Sequence, residues 1–247
     1  MIANRFAEHF SKIGNLAFNK FKDSNISDRL DKYWGDLPLG MNISVEQVDD
    51  LISKMKRGKA CGFDKLSVEH LLFSHPVSVS VVAKMFNIML NLRYVPDNFG
   101  KGITVPIPKG ECRNVSNKCD DYRGITINPV LSKLFEDCLL LRMQKYFETS
   151  SRQFGFKKGV GCRDAILNVK LASDHFTSNH SNVNICTIDV KKAFDSLNYN
   201  IIYNRLMDVH MPVCYIEILM CWYNKVFIVV KWQNVTSNFV KLKAGVR

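Results

Sequence analysis

The chain has 247 residues, 47% hydrophobic and 23% charged, so it can bury a sizeable core and has the composition of a globular protein. It has no apolar run of 18 residues and no continuous apolar segment near its start, which argues against a membrane span and a secretory signal. The formal net charge of +11 is concentrated late in the chain, since residues 100–247 hold 21 basic and 12 acidic side chains. This charge is typical of a protein with a polyanionic partner such as nucleic acid, and by itself it is equally compatible with a merely basic soluble protein.

The first hundred residues are predicted to be helical apart from one linker. Phe6 and Phe10 begin an apolar stripe at helical spacing. Ser44 and Gln47 have the spacing of a capping box, which marks a helix start. These signals predict, in order, a helix over 1–20, a polar linker over 22–43, a helix over 44–58, a short helix over 67–73 and a helix over 76–96.

The rest of the chain is predicted to mix strands and helices. The predicted elements are a strand over 103–108, a polar loop over 111–121, a strand over 122–127, a helix over 129–143, a basic glycine-containing loop over 153–161, a helix from 164, a strand over 183–188, helices over 192–207 and 216–222, and a hairpin of 226–232 with 239–242. Prolines in the first strand predict an edge position or an exit from the sheet. The fold class is therefore α+β, with a helix-rich N-terminal part.

Eight cysteines occur and none forms a C-x-x-C pair. In the absence of a secretory signal, these cysteines are expected to be reduced in an intracellular protein, with nucleus and cytoplasm left open. Their spacings do not favour a zinc site.

One aspartate is placed as catalytic metal ligands often are. Asp189 ends the predicted strand over 183–188, where a turn exposes its carboxylate. Carboxylates that hold a pair of Mg²⁺ ions serve nucleotidyl transfer in this way. A single strand-end aspartate is also a common cap or turn residue, so its meaning depends on the rest of the chain.

Four segments in one order resemble the non-LTR (LINE-like) retrotransposon reverse transcriptases. The residues of these four segments are similar to that family's fingers motifs, to its "QFGFRKG…DA" segment and to its "LDLSKAFD" palm motif. The segments are Lys56-Arg-Gly-Lys-Ala-Cys-Gly-Phe-Asp64, Val105-Pro-Ile-Pro-Lys-Gly110 with Asp121-Tyr-Arg-Gly-Ile125 and Leu131-Ser-Lys-Leu-Phe-Glu136, Gln153-Phe-Gly-Phe-Lys-Lys-Gly159 with Asp164-Ala165, and Ile185-Cys-Thr-Ile-Asp-Val-Lys-Lys-Ala-Phe-Asp195. The resemblance covers about residues 40–247.

The resemblance implies a role for each matching residue. Asp189 would be a catalytic metal ligand together with the carbonyl of Val190, and Phe194 would be the aromatic gate that rejects a ribose 2′-hydroxyl. Arg123 and Lys109 would contact the incoming triphosphate. The template path would be lined by Gln153, Gly155, Lys157 and Lys158. The implied cofactor is Mg²⁺ or Mn²⁺, and the implied partners are an RNA template, a DNA primer and deoxynucleoside triphosphates.

The sequence departs from the family pattern at several places. Gly124 stands where the family has proline, which predicts a looser strand, and the chain stops at Arg247 inside a segment similar to "GVRQGG". The family's paired-aspartate box does not occur in these residues. We therefore expect a fingers and partial-palm fragment that is inactive alone and, because of an uncovered sheet edge, poorly soluble.

The sequence is compatible with three functions. The reverse-transcriptase fragment is favoured over a non-catalytic basic RNA- or DNA-binding remnant and over an unrelated palm-type phosphotransferase.

The chain is predicted to divide into an N-terminal helix and linker over 1–43, a fingers-like region over 44–180 and a partial palm over 181–247. Oligomeric state stays open.

Overall fold

The computed structural model describes residues 2–20, 26–33, 35, 42–109, 118–190 and 192–245, and for residues 13–20 it describes the backbone only. The described residues form an α+β fold, as the sequence predicts. Its helices are α1 (Ile2–Lys20), α2 (Ile26–Asp31), α3 (Val45–Lys54), α4 (Val68–Leu72), α5 (Pro76–Leu92), α6 (Val130–Met143), α7 (Cys162–Ser178), α8 (Tyr199–Asp208) and α9 (Val213–Tyr223). Its strands are β1 (Lys101–Pro108), β2 (Tyr122–Ile127), β3 (Phe227–Trp232), β4 (Val235–Thr236) and β5 (Val240–Lys241).

The described strands form one mixed sheet in the order β2-β1-β3-β4, with β5 also paired to β3. β1 is antiparallel to β2 from Ile103 to Pro108 and parallel to β3 from Lys101 to Thr104. The first half of β1 is therefore an interior strand, whereas the half that contains the prolines has one neighbour, in agreement with the predicted edge position or exit. Pro106 and Pro108 lie beyond the parallel ladder, where the strand has one neighbour and a missing N–H costs nothing.

Helix α1 covers one face of the sheet and confirms the predicted amphipathic helix. Its Phe6 ring lies 5.0 Å from Tyr122 of β2 and 5.1 Å from Trp232 of β3. Ile228 and Val230 complete this buried cluster. The period-2 alternation of the strands thus gives the sheet an apolar face for the helix.

A second core lies among helices and contains three large aromatic side chains. The Phe135 ring of α6 lies 5.0 Å from Phe86 of α5 and 5.5 Å from Trp222 of α9. The indole N–H of Trp222 donates to the Phe99 carbonyl oxygen at 3.3 Å, so the one polar atom of this ring is satisfied.

The predicted capping box at the start of α3 is confirmed. The Gln47 N–H donates to Ser44 Oγ at 3.2 Å, and the Ser44 N–H donates to Gln47 Oε1 at 3.3 Å. The predicted linker over 22–43 is wrong for residues 26–31, which form α2. Two hydrogen bonds from Arg29, to Asn204 and Asp208 of α8 at 2.6 and 2.7 Å, stabilise this short polar helix from outside.

Two predicted elements of the Asp189 region differ from the structure. Residues 183–188 form no regular strand, because no described strand pairs with them, and Ile188 remains 90% exposed. The predicted helix over 192–207 begins only at Tyr199. Residues 192–196 form a turn because Lys192 has a left-handed backbone (φ 54°), and Asn198 then caps α8 by accepting the Asn200 N–H at 2.8 Å.

The chain divides into two compact units. The first comprises Met1–Gln144 and Lys192–Arg247, and the second comprises Lys145–Lys191. The second unit contains α7, none of whose side chains is buried. Among the described residues, no helix is both long enough and apolar enough to cross a membrane.

Candidate functional site

The β1–β2 hairpin presents two predicted site residues on one face. Arg123 lies opposite Ile107 in the antiparallel register, and the Lys109 N–H continues the ladder by donating to the Asp121 carbonyl oxygen at 2.8 Å. Residues at alternate positions share a face, so Lys109, Ile107 and Arg123 lie on the same side. Both cationic side chains are exposed.

The opposite face of the hairpin packs against helix α1. Tyr122 is 4% exposed and its ring packs edge-on against Phe6, so it belongs to the core. A Cβ on Gly124 would lie 3.1 Å from the Phe10 ring, which explains a glycine at this position. β2 is a continuous strand through Gly124.

Asp120, just before β2, has an exposed carboxylate that lies beside two basic side chains. Its carboxylate Oδ1 lies 3.0 Å from Lys192 Nζ and 3.6 Å from His9 Nε2. Lys109 Nζ donates to the Asp120 backbone oxygen at 2.6 Å. The hydrogen bond from Lys192 and its charge, with smaller effects of His9 and Lys109, hold the pKa of Asp120 below its usual range. Sequence reasoning missed this cluster, although Lys192 lies inside the Asp189–Asp195 box.

Phe194 lies in the turn that follows Lys192 and is 56% exposed. The Ser196 N–H closes this turn by donating to the Lys192 oxygen at 3.0 Å. Gly245 supports it from the far end of the chain, since its N–H donates to the Leu197 oxygen at 2.8 Å. The segment similar to "GVRQGG" is thus in contact with the turn that contains the predicted aromatic gate.

Replacing Gly245 by alanine is expected to lower the free energy of unfolding by about 1–2 kcal/mol, because its φ of 89° is unfavourable for a residue with a Cβ and that Cβ would lie 3.0 Å from the Asp195 oxygen. The measurement is urea unfolding followed by tryptophan fluorescence. Gly155→Ala is the matched control, since nothing lies within 4 Å of a Cβ there. Equal midpoints for the two variants would contradict the assigned contact.

The segment Lys56–Asp64 packs against the start of α6. A Cβ on Gly62 would lie 2.7 Å from the Cα of Pro129, so glycine permits this approach. Asp64 accepts the Leu66 N–H at 3.2 Å, as expected of a turn residue. A cavity of about 340 Å³ lies beside this contact, and its lining includes Lys59, Lys133 and Asp137.

The second unit contains the predicted template residues in a loop of turns. Gln153 Nε2 donates to the Gly155 oxygen at 2.9 Å, and the loop ends where Asp164 accepts the Gly161 N–H at 2.8 Å at the start of α7. Lys158 is exposed and Lys157 is partly exposed. The backbone is thus ordered by its own hydrogen bonds, while the ammonium groups remain accessible.

Asp189 also lies in the second unit, in the irregular segment over 181–190. Its side chain and that of Val190 are exposed. Among the described residues, no group of three or more His, Cys, Asp and Glu side chains is arranged to hold a metal ion. The predicted site residues therefore fall into two sets, with Lys109, Arg123 and Phe194 in the first unit.

Comparison with known proteins adds an independent finding. The family model described as reverse transcriptase (RNA-dependent DNA polymerase) matches residues 107–246, which is more than half of the chain. The match includes the end of β1 from Ile107, all of β2, the loop over 153–161, the Asp189 box and Gly245.

Several relatives from Drosophila melanogaster are named as mobile-element proteins. The retrovirus-related Pol polyprotein of type-2 retrotransposable element R2DM is 28% identical over 141 residues, 57% of this chain and 13% of the relative. The putative 115 kDa protein of type-1 element R1DM is 27% identical over 170 residues, 68% of this chain and 16% of the relative. A probable RNA-directed DNA polymerase from transposon X-element is 23% identical over 204 residues, 81% of this chain and 22% of the relative.

These relatives are much longer proteins, and the chain spans less than a quarter of the length of each. The X-element similarity covers more of the chain than the family model does, so it reaches residues before 107. The chain belongs to the reverse transcriptase (RNA-dependent DNA polymerase) family, among the LINE-like members found in non-LTR retrotransposons.

Proposed function

We propose that this chain forms the fingers and front part of the palm of a mobile element's RNA-directed DNA polymerase. It binds an RNA template, a DNA primer and a deoxynucleoside triphosphate. The observation that best supports this proposal is the shared exposed face of Lys109 and Arg123 on the β1–β2 hairpin, within the segment that the family model matches.

Arg123 and Lys109 are suited to hold the triphosphate. A guanidinium can bind two phosphate oxygens at once through its planar fork, whereas an ammonium acts as a compact charge. Among the described residues no carboxylate forms a salt bridge with Arg123, so its fork is available to a ligand. Phe194 is the proposed aromatic gate, and its side chain is 56% exposed, so a nucleotide sugar could reach the ring.

The loop over 153–161 is the proposed template contact. Lys157 and Lys158 would neutralise backbone phosphates without reading sequence. Gly155 has open space around it, so a template backbone can approach the loop closely. Gln153 fixes the loop through its own hydrogen bond to the Gly155 oxygen.

Divalent ions, Mg²⁺ or Mn²⁺, supply the charge stabilisation of nucleotidyl transfer in this family. Asp189 is the proposed carboxylate ligand, assisted by the Val190 carbonyl oxygen. One carboxylate does not fix two ions, and the described residues hold no other carboxylate cluster that would fit them. The residues described here therefore do not by themselves fit a two-ion centre.

The double change Lys157→Gln with Lys158→Gln is expected to weaken binding of an RNA–DNA template–primer and to reduce the salt slope of log K by about 1–2, because each lysine releases roughly one counterion. Fluorescence anisotropy over a salt series measures both quantities. Lys54→Gln with Lys84→Gln removes equal charge elsewhere and is expected to leave affinity nearly unchanged. Equal losses of template–primer affinity in the two double variants would contradict a specific template path.

Primer extension by the 247-residue chain on an RNA template is expected to stay at background with Mg²⁺ or Mn²⁺, since its residues offer one catalytic-box aspartate and no paired-aspartate box. The chain should still bind the template–primer in the same reactions. Robust extension that Asp189→Ala abolishes would contradict this expectation. Binding without any nucleotide effect would favour the alternative of a non-catalytic nucleic-acid-binding remnant.

A further inference from the structure

The Asp120 cluster consists of His9, Lys109, Asp120 and Lys192, all in the first unit. It joins three segments that are distant in sequence: helix α1, the β1–β2 hairpin and the turn that contains Phe194. A single carboxylate faces both the Lys192 ammonium at 3.0 Å and the His9 imidazole at 3.6 Å. Lys109 reaches only the Asp120 backbone oxygen, at 2.6 Å. The cations of the cluster are therefore the ammonium groups of Lys109 and Lys192, because burial lowers the pKa of His9, and Asp195 is a second carboxylate that acts on His9.

The cluster lies beside the proposed nucleotide-binding face. Lys109 belongs both to the cluster and to the face that contains Arg123. Arg123 lies diagonally across the ladder from Lys109, a separation of about 7–8 Å between Cα atoms in an antiparallel pair. A nucleoside triphosphate carries several negative charges spread over a comparable length. A third cation beside Asp120 would therefore neutralise more of the triphosphate charge than Lys109 and Arg123 do by themselves.

Lys192 is one of seven described non-glycine residues with a positive φ. Its backbone φ is 54°, in the left-handed region that disfavours residues with a Cβ. Asparagine or glycine would adopt this conformation at lower cost, yet a long cationic side chain occupies the position. Such backbone positions recur at ligand-binding sites, where the side chain is needed at that point.

We infer that Lys192 is a third triphosphate-binding residue and that the Asp120 carboxylate holds its ammonium in place until phosphate oxygens replace it. Asp120 is a positioning residue, because it acts through Lys192 and does not need to touch the nucleotide. Its exposed side chain can turn away when the phosphates arrive, since exposed ion pairs are weak. The inference rests on the proposed polymerase function and adds residues to its nucleotide site.

The test measures binding of inorganic tripolyphosphate to the full 247-residue chain by titration calorimetry at low salt. Lys192→Gln is expected to weaken binding about tenfold, because it removes a charge-assisted hydrogen bond. Asp120→Asn is expected to tighten binding about threefold or more, because the competing carboxylate is lost. The double variant should bind no better than Lys192→Gln, since Asp120 acts through Lys192.

Two further variants separate this role from folding and from net charge. Lys192→Gly suits the left-handed backbone and removes only the ammonium, so it should bind as weakly as Lys192→Gln while unfolding at the same or higher urea concentration. Lys84→Gln removes one charge from an exposed site on α5 and should change affinity less than about twofold. Loss of the Asp120 charge by itself would tighten binding with or without Lys192, so the result that assigns the effect to Lys192 is the lack of tightening when Asp120→Asn is added to Lys192→Gln.

The inference is overturned if Asp120→Asn binds tripolyphosphate no tighter than the parent, if Lys192→Gly binds as well as the parent, or if the parent shows no binding. Failure of the polymerase proposal would look different. In that case the Lys192 and Asp120 effects on tripolyphosphate persist, while an RNA–DNA template–primer shows no dependence on Lys157 and Lys158.

Discussion

Gly100→Ala is expected to destabilise the first unit by about 3 kcal/mol or more. Gly100 is buried at the start of β1, and a Cβ there would overlap the backbone carbonyl of Lys225. A carbonyl cannot move aside as a flexible side chain can. The two backbones are also held together, because Lys101 of β1 pairs with Phe227 of β3.

Hydrogen bonds around this junction prevent easy relief of the overlap. Lys225 Nζ donates to the Val95 oxygen at 2.8 Å and lies 2.9 Å from the Asp97 carboxylate. Urea unfolding of Gly100→Ala should show a much lower midpoint or no folded baseline, whereas Gly155→Ala should unfold like the parent. Unchanged midpoints in both variants would mean that β1 and β3 do not approach as described.

Arg123→Gln is expected to weaken deoxynucleoside triphosphate binding about 10- to 100-fold, since it removes a bidentate charged contact worth about 1.5–3 kcal/mol. Arg123→Lys keeps the charge but not the fork, so its loss should be intermediate. The side chain is exposed on β2 and packs into no core cluster, so neither change should alter the unfolding midpoint by much.

Equilibrium titration with dTTP measures this effect, and Arg205→Gln is the matched control. Arg205 is an exposed arginine of α8 that pairs with Asp208 at 3.8 Å and lies outside the proposed site. If Arg205→Gln and Arg123→Gln lose affinity equally, the contact is non-specific attraction to a basic protein. If Arg123→Lys loses as much as Arg123→Gln, the geometry of the guanidinium matters more than its charge.

Local signals in the sequence predicted local structure well. The capping box at Ser44, the helix starting at Pro76 and the hairpin that pairs β3 with β5 all follow from residues close together in the chain. The predicted strand over 183–188 failed because a strand depends on a partner that periodicity does not reveal. The short helix α2 was missed because its stabilising contacts come from Arg29 to α8, far along the chain.

The same limit applies to the site. Arg123 and Lys109 were identified from their positions in segments that match family motifs. Their common face follows from the alternation of side chains along the strands once the register is known. The Lys192–Asp120 contact joins residues 72 positions apart, and no short motif contains both. The parallel pairing of β1 with β3 is longer in range still, and no local signal in the sequence predicts it.

The most direct test of the proposed function is whether the chain selects a nucleotide by template complementarity. The measurement is the dissociation rate of a labelled RNA–DNA template–primer from the chain in the presence of Mg²⁺ and each of the four deoxynucleoside triphosphates. Our account predicts that only the nucleotide complementary to the templating RNA base slows dissociation, and that Arg123→Gln removes the effect. Equal dissociation rates with all four nucleotides, or no binding of the template–primer, would contradict it.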